Sequence, residues 1–153
     1  TRGTSLAAQL DARHDTENQD TLLTLAARHG QAEAVRLLLD SGASVGATND
    51  DGASALYTAC QEGQIECARL LVEAGAATDQ ARDGGDTPLL IACENNNLEC
   101  VRLLLEAGAA INQAEGDGIT PLSAACIYGH AECARLLLRS SAAINQATNS
   151  GAT

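Results

Sequence analysis

Short apolar runs recur along the chain at a fixed spacing. They begin with an arginine and read RLLL, RLLV, RLLL and RLLL from Arg36, Arg69, Arg102 and Arg135. Successive runs start 33 residues apart, so the chain is built from a strictly repeated unit. In the second copy, Cys67 stands three and four positions before Leu70 and Leu71, which is the spacing of side chains on one face of a helix.

A first helix is predicted upstream of each run by its end signals. In GDTPLLIACEN, the Thr87 hydroxyl can accept a hydrogen bond from an amide of the first turn, and Pro88 suits the first helical position because no donor is needed there. The helix should end at a residue that tolerates the left-handed conformation. Those residues are Gly30, Gly63, Asn96 and Gly129.

The second helix of the unit carries the apolar run and is predicted from Ile65 to Ala74 in the second copy. It ends at a glycine in the first three copies, which are Gly42, Gly75 and Gly108. The fourth copy has Ser141 at this place, so we expect its helix end to be less sharply closed.

The period divides the chain into four full units and the start of a fifth. The predicted units are 16–48, 49–81, 82–114, 115–147 and the truncated 148–153. Residues 1–15 fit the unit poorly, and we interpret TSLAAQLDAR as the remnant of a preceding second helix that caps the first unit, with a tail as the alternative. One helix pair cannot cover its own apolar stripe, so the pattern predicts an all-α solenoid of stacked helix pairs.

Composition limits the core and the partners. The chain has two tyrosines and no Phe, Trp or Met, so its core must use small and aliphatic side chains in closely packed helices. Twenty acidic residues against nine basic ones give a net charge of −11, which opposes binding to nucleic acid or to an anionic membrane surface. No segment resembles a membrane span or a signal peptide, so we expect a soluble protein.

Six cysteines occupy two slots of the repeat. They are Cys60, Cys67, Cys93, Cys100, Cys126 and Cys133. Both slots lie on the apolar stripes, and the first unit has Ala27 and Ala34 there, so we interpret all six as small core residues. Reduced thiols of this kind predict an intracellular protein, cytoplasmic or nuclear. A disulfide between the two slots of one unit stays open as an alternative, because both flank a tight turn.

Metal binding and catalysis are not indicated. The best local metal candidate, Cys126 with His130 and Cys133, appears once and does not have a familiar zinc spacing. The chain has no Ser-His-Asp set, glycine-rich phosphate loop or zinc-protease motif, so we expect no enzyme activity and no cofactor. Glutamate and arginine recur three residues apart on the second helix and predict a charged outer face. These pairs are Glu33/Arg36, Glu66/Arg69, Glu99/Arg102 and Glu132/Arg135.

The repeated segments DGGDTPLLIACENNNLECVRLLLEAGAAIN and GDGITPLSAACIYGHAECARLLLRSSAAIN resemble ankyrin repeats, over about residues 16 to 153. The resemblance implies antiparallel helix pairs with loops that project to one side as β-turns or hairpins. It also implies a concave partner surface made by the loop tips and the exposed side of each first helix. The family's signature histidine is replaced here by Thr24, Tyr57, Leu90 and Ser123, and the first unit has Gln19 and Leu22 where glycine and proline are expected.

The predicted partner-binding face is acidic through three units and more apolar in the fourth. Its residues are Asp20, Asp50, Asp51, Tyr57, Glu62, Asp83, Asp86, Glu94, Asp117, Ile119, Ile127 and Tyr128. Such a face favours a basic peptide or a basic protein surface, with Tyr128 as the main anchor. The alternative that the loop acids are only turn-forming and solvated stays open.

A second function is compatible with the same pattern. The chain could be a spacer or scaffold segment of a larger repeat protein that self-associates through an exposed end, lined by Leu122, Leu136 and Ile144. The resemblance also marks Asn112 and Asn145, in AAINQA, as candidate sites for asparaginyl hydroxylation, although Ala110 and Ala143 replace the acidic residue that usually precedes the target.

Overall fold

A computed structural model describes residues 5–13 and 19–142, and this part of the chain contains nine helices. They are α1 (Leu6–Leu10), α2 (Leu22–Arg28), α3 (Ala32–Asp40), α4 (Ala55–Glu62), α5 (Ile65–Glu73), α6 (Pro88–Glu94), α7 (Leu98–Glu106), α8 (Pro121–Ile127) and α9 (Ala131–Arg139). Helices α2 to α9 form four pairs, which stack into the all-α solenoid that the sequence predicts. One pair lies within each predicted unit, while the limits of the units stay a prediction.

The first helix of each pair begins as the sequence predicts. The side chains of Thr21, Ser54, Thr87 and Thr120 cap these helices. Each is extended at its backbone and accepts a hydrogen bond from the amide three residues later, at 3.1–3.2 Å. Pro88 and Pro121 follow the caps directly, where the missing N–H of proline costs no bond.

The helix ends also follow the left-handed residues. Gly63 has a φ of 69° and Asn96 a φ of 56°, which confirms that asparagine replaces glycine at this turn. Ser141 adopts a φ of 70°, and the Ala142 amide still donates to the Leu137 carbonyl at 3.0 Å. The expectation of a less closed end at α9 is therefore wrong, because the serine takes the left-handed conformation despite its side chain.

Side chains at the start of the second helices tie neighbouring repeats together. The side chains of Gln64 and Asn97 donate to the carbonyls of Arg28 and Cys60, at 3.4 Å and 2.8 Å. In the fourth repeat, Nε2 of His130 lies 2.8 Å from the Glu94 carbonyl oxygen. His130 therefore serves the stacking of repeats, and no group of three or more potential metal ligands forms among the described residues.

Five of the six cysteines are buried, but Cys126 is exposed. The thiols of Cys60 and Cys93 hydrogen-bond with Cys100 and Cys133, so thiol contacts run from one repeat to the next. All six are free thiols. The interpretation of Cys126 as a core residue is wrong, because its slot is covered by the following repeat and not by its own.

The stack is closer on one side than on the other. Helices α2, α4, α6 and α8, which we call the inner row, contact one another more extensively than do α3, α5, α7 and α9, the outer row. Alanine and cysteine at the inner-row interfaces allow this approach, as at Ala59, Cys60, Ala92 and Cys93. Closer packing of one row bends a stack toward that row, so the solenoid curves toward the inner row. The resemblance implies that the loop tips lie on the same, concave side. No helix within the described ranges is long and apolar enough to span a membrane.

The described part of the N-terminal segment forms the expected helix but leaves an apolar groove of the first repeat open. Leu6 of α1 is 61% exposed, and Asp11, just beyond the helix, accepts a hydrogen bond from the Ser44 amide at 2.8 Å. An apolar groove on the first repeat is lined by side chains of α2, α3 and the turn between them, including Leu25 and Leu37. The described part of residues 1–15 therefore does not cap this groove.

Candidate partner-binding face

The loop tips are short turns held at their base by backbone hydrogen bonds. The amides of Asn49, Arg82 and Glu115 donate to the carbonyls of Ala53, Asp86 and Ile119, at 3.0–3.1 Å. A glycine with positive φ closes each turn, namely Gly52, Gly85 and Gly118. The acidic side chains of the tips are therefore presented on defined turns, which agrees with the projecting loops expected from the resemblance.

Unpaired negative charge collects at these tips. Asp51, Asp83 and Asp117 are exposed, and none of them forms an ion pair with a cation of the described residues. Asp50 is also exposed but pairs with Arg13. On the outer row, each of the four predicted glutamate–arginine pairs is present. The arginines are thus neutralised on the outer row while the tips keep their charge.

Two predicted surface acids are buried instead. Asp20 accepts hydrogen bonds from Nε and Nη2 of Arg28, at 3.1 and 2.8 Å, and from Nδ2 of Asn49 at 3.0 Å. Asp86 accepts from Nε of Arg82 at 2.5 Å. Their placement on the exposed face was wrong, because each carboxylate is enclosed by the arginine that it orients.

Tyr57 is also buried, with 2% of its surface exposed. The guanidinium carbon of Arg82 lies 5.7 Å from the centroid of its ring. The prediction that Tyr57 offers an apolar surface to a partner is therefore wrong for its ring.

A cluster of carboxylates lies between the third and fourth repeats. The hydrogen bond with Asp86 raises the pKa of Glu115 to about 7, and burial and the charges of Asp86, Glu94 and Asp117 act in the same direction. Burial favours a higher pKa for Asp86, but hydrogen bonds with Glu115 and Arg82 outweigh it and lower that pKa. Burial, followed by the charge of Asp86, raises the pKa of the half-buried Glu94. Below about pH 7, Glu115 is therefore protonated and can donate to the Asp86 carboxylate.

Sequence reasoning missed Arg28, Arg82 and Glu115. Asn49, Arg82 and Glu115 occupy one slot of the 33-residue period, and Asp20 and Asp86 occupy another. Reading these two slots together would have pointed to Arg82 and Glu115 beside Asp86, whereas Arg28 lies in neither slot.

The fourth repeat supplies the apolar end of the face. Ile127 is 61% exposed and Tyr128 is 56% exposed, while Ile119 is half-buried. The Tyr128 ring stacks on His130, with centroids 6.2 Å apart and an interplanar angle of 20°. Their use by a partner stays a prediction, as it does for Glu62, which is exposed.

A small polar pocket lies within the same face. It has a volume of about 90 Å³ and is lined by residues that include Arg28, Asn49, Asp51, Tyr57, Gln61 and Arg82. The pocket joins the end of α2 to the second and third loop tips across α4.

Comparison with known proteins gives one result on this architecture. A family model described as ankyrin repeats (3 copies) matches residues 4–82 and 74–149. A search of curated protein sequences finds no significant match.

Proposed function

The chain belongs to the ankyrin repeat family, and from this premise we propose that it binds a basic, extended segment of a partner protein on its concave face. Ankyrin repeats are generally protein–protein interaction modules and are typically not enzymes. The observation that carries the proposal is the row of unpaired carboxylates of Asp51, Asp83 and Asp117 on three successive loop tips.

The spacing of the tips suits an extended chain. Neighbouring packed helices lie about 8–10 Å apart, so successive tips should be separated by about that distance. An extended segment rises about 3.3 Å per residue, which gives about three residues for each repeat. A partner with a basic residue at every third position would therefore meet one acidic tip with each.

The two ends of the face have different roles in this proposal. The acidic tips attract the partner over a distance and raise the association rate, an effect that salt weakens. Ile127 and Tyr128 then bury apolar surface and slow dissociation, since exposed aromatic side chains are frequent anchors of interfaces. The net charge of −11 disfavours nucleic acid as the partner, and six free thiols support an intracellular location.

The test uses a synthetic peptide with lysine at every third position and uncharged residues between. We expect Asp51→Asn, Asp83→Asn and Asp117→Asn together to slow its association about tenfold at low salt and to flatten its salt dependence. The matched control changes Glu66, Glu99 and Glu132 to glutamine, which alters the net charge equally but on the outer row. Equal binding and equal salt response of the two triple variants would show that the acidic tips do not form the site.

Apolar surface at both ends favours a second function, the scaffold. The groove of the first repeat is open, and Cys126 and Leu138 are exposed on the fourth, whereas Leu122 is nearly covered. The predicted Ile144 lies outside the described residues. Head-to-tail stacking of copies would cover both ends.

For the scaffold, we expect the mass in sedimentation to rise with concentration and Leu138→Glu to abolish that rise. Ala107→Glu adds the same charge at an exposed residue of the third repeat, between the two ends, and is the control. A monomer at every concentration would rule out self-association through these ends.

A further inference from the structure

Among the residues that the structure describes, the Tyr57 hydroxyl is the buried side-chain polar group that the fold leaves without a hydrogen-bond partner. It is buried and has no hydrogen-bond partner among the described residues. A buried hydroxyl without a partner destabilises a protein, so such groups are rare and call for an explanation.

Comparison of the repeats shows that the hydroxyl is out of reach of its own helix. Thr24 and Ser123 occupy the same slot as Tyr57, and their hydroxyls donate back to the carbonyls of the helix caps Thr21 and Thr120, at 2.9 and 3.0 Å. The phenol ring is too long to make this bond. Tyr57 instead lines the polar pocket of the concave face.

The pocket has the size of a small functional group. Its volume of about 90 Å³ is several times the roughly 10–15 Å³ that a cavity needs to hold one water molecule. A polar group of a few non-hydrogen atoms would therefore fit in it.

The charges around the pocket argue against a charged ligand. Arg28 and Arg82 are each paired with a buried carboxylate, Asp20 and Asp86, and Asp51 adds a carboxylate without a paired cation among the described residues. A carboxylate ligand would meet Asp51, and an ammonium ligand would meet two guanidinium groups. An uncharged group avoids both penalties.

The groups that remain for a ligand include both hydrogen-bond donors and a hydrogen-bond acceptor. Within the described residues, Arg28 commits Nε and Nη2 to Asp20, and Arg82 commits Nε to Asp86, so each guanidinium keeps N–H groups for a ligand. Burial raises the pKa of Tyr57 to about 12, against the charge of Arg82, so its hydroxyl stays a donor. The Asp51 carboxylate can accept. A ligand therefore needs an acceptor oxygen and an N–H donor together.

We propose that this pocket binds the side-chain carboxamide of an asparagine or glutamine in the partner segment. The amide oxygen accepts from the Tyr57 hydroxyl and from an arginine N–H, and the amide nitrogen donates to Asp51. The inference rests on the proposed function. It specifies one residue of the partner segment, the one between the two basic residues that face the second and third loop tips.

The experiment uses propionamide as the probe and NMR of the aromatic ring as the signal. Tyr128→Phe leaves Tyr57 as the one tyrosine of the chain, so its ring signals are unambiguous. We expect a saturable shift of these signals with propionamide, and no such shift with propionate or ethylammonium. In Tyr57→Phe, with Tyr128 retained, the new phenylalanine is the one phenylalanine of the chain, and we expect affinity to fall about tenfold, the worth of one hydrogen bond.

The possible results separate the inference from the proposed function. The inference is overturned by an absent shift, by an equal response to propionate or ethylammonium, or by full binding to Tyr57→Phe. If the lysine peptide binds through the acidic tips but is indifferent to replacing an intervening glutamine by leucine, the function stands and the inference fails. If propionamide binds in a Tyr57-dependent way but no basic peptide binds, the pocket's preference stands and the proposed partner is wrong. Thermal unfolding of each variant verifies that it is folded.

Discussion

At the scale of single residues, Cys126 is set apart from the other cysteines by its position in the stack. Its equivalents Cys60 and Cys93 are covered by the following repeat, where they meet Cys100 and Cys133. Burial also raises the pKa of Cys67. The thiolate is the reactive form and must be reached by the reagent. We therefore expect one reactive thiol, the exposed Cys126, and five unreactive buried thiols.

We therefore expect thiol titration of the native protein to report one rapidly reacting group and five more after unfolding. Cys126→Ser should remove the rapid group and leave the five. Cys67→Ala, a buried control that copies Ala34 of the first repeat, should keep the rapid group. Several fast groups in the native protein would contradict the burial of the other slots.

The residues of the candidate site show where sequence reasoning succeeds and where it stops. The period located the helix ends correctly, because these ends are set by local signals such as Thr87 and Gly63. It did not show that Asp20 and Asp86 are enclosed, because their burial depends on arginine side chains folding over them. The exposure of Cys126 likewise depends on the neighbouring repeat, which a pattern within one unit does not contain.

At the scale of the helix, Ser141 carries a measurable cost. Its φ of 70° puts a side chain in the left-handed region, whereas the equivalent glycines of the earlier repeats adopt it freely. The same hydrogen bonds close all four ends, so serine and glycine should differ mainly in backbone strain.

We expect Ser141→Gly to raise the free energy of unfolding by about 0.5–1 kcal/mol, which is the left-handed penalty less the added entropy of glycine in the unfolded chain. Ser140→Gly is the matched control, because Ser140 has a φ of −92° and gains no relief. Denaturant unfolding measures both. A control that stabilises as much as Ser141→Gly would show that strain is not the cause.

At the scale of the whole molecule, two sources make stability depend on pH. The net charge of −11 repels itself increasingly as carboxylates ionise. The carboxylate cluster between the third and fourth repeats adds a local source, because Glu115 is hydrogen-bonded to Asp86 and has a pKa of about 7. Both sources act in the same direction above pH 4.5, so a single pH profile of the native protein cannot separate them.

Replacing Glu115 separates the local source of the pH dependence from the global one. Its pKa in the folded protein lies above the ordinary value of 4.5, so its contribution to stability is complete below about pH 4.5 and is lost as the pH rises through about 7. We expect Glu115→Gln to remove this part of the decline, because the amide can still donate to Asp86 but does not titrate. Glu106→Gln changes the net charge equally at an exposed residue of the outer row and reports the global part alone. Unfolding free energies measured between pH 4.5 and 8 should therefore fall less steeply for Glu115→Gln than for Glu106→Gln, and parallel profiles would place the pH dependence in the charge of the whole molecule.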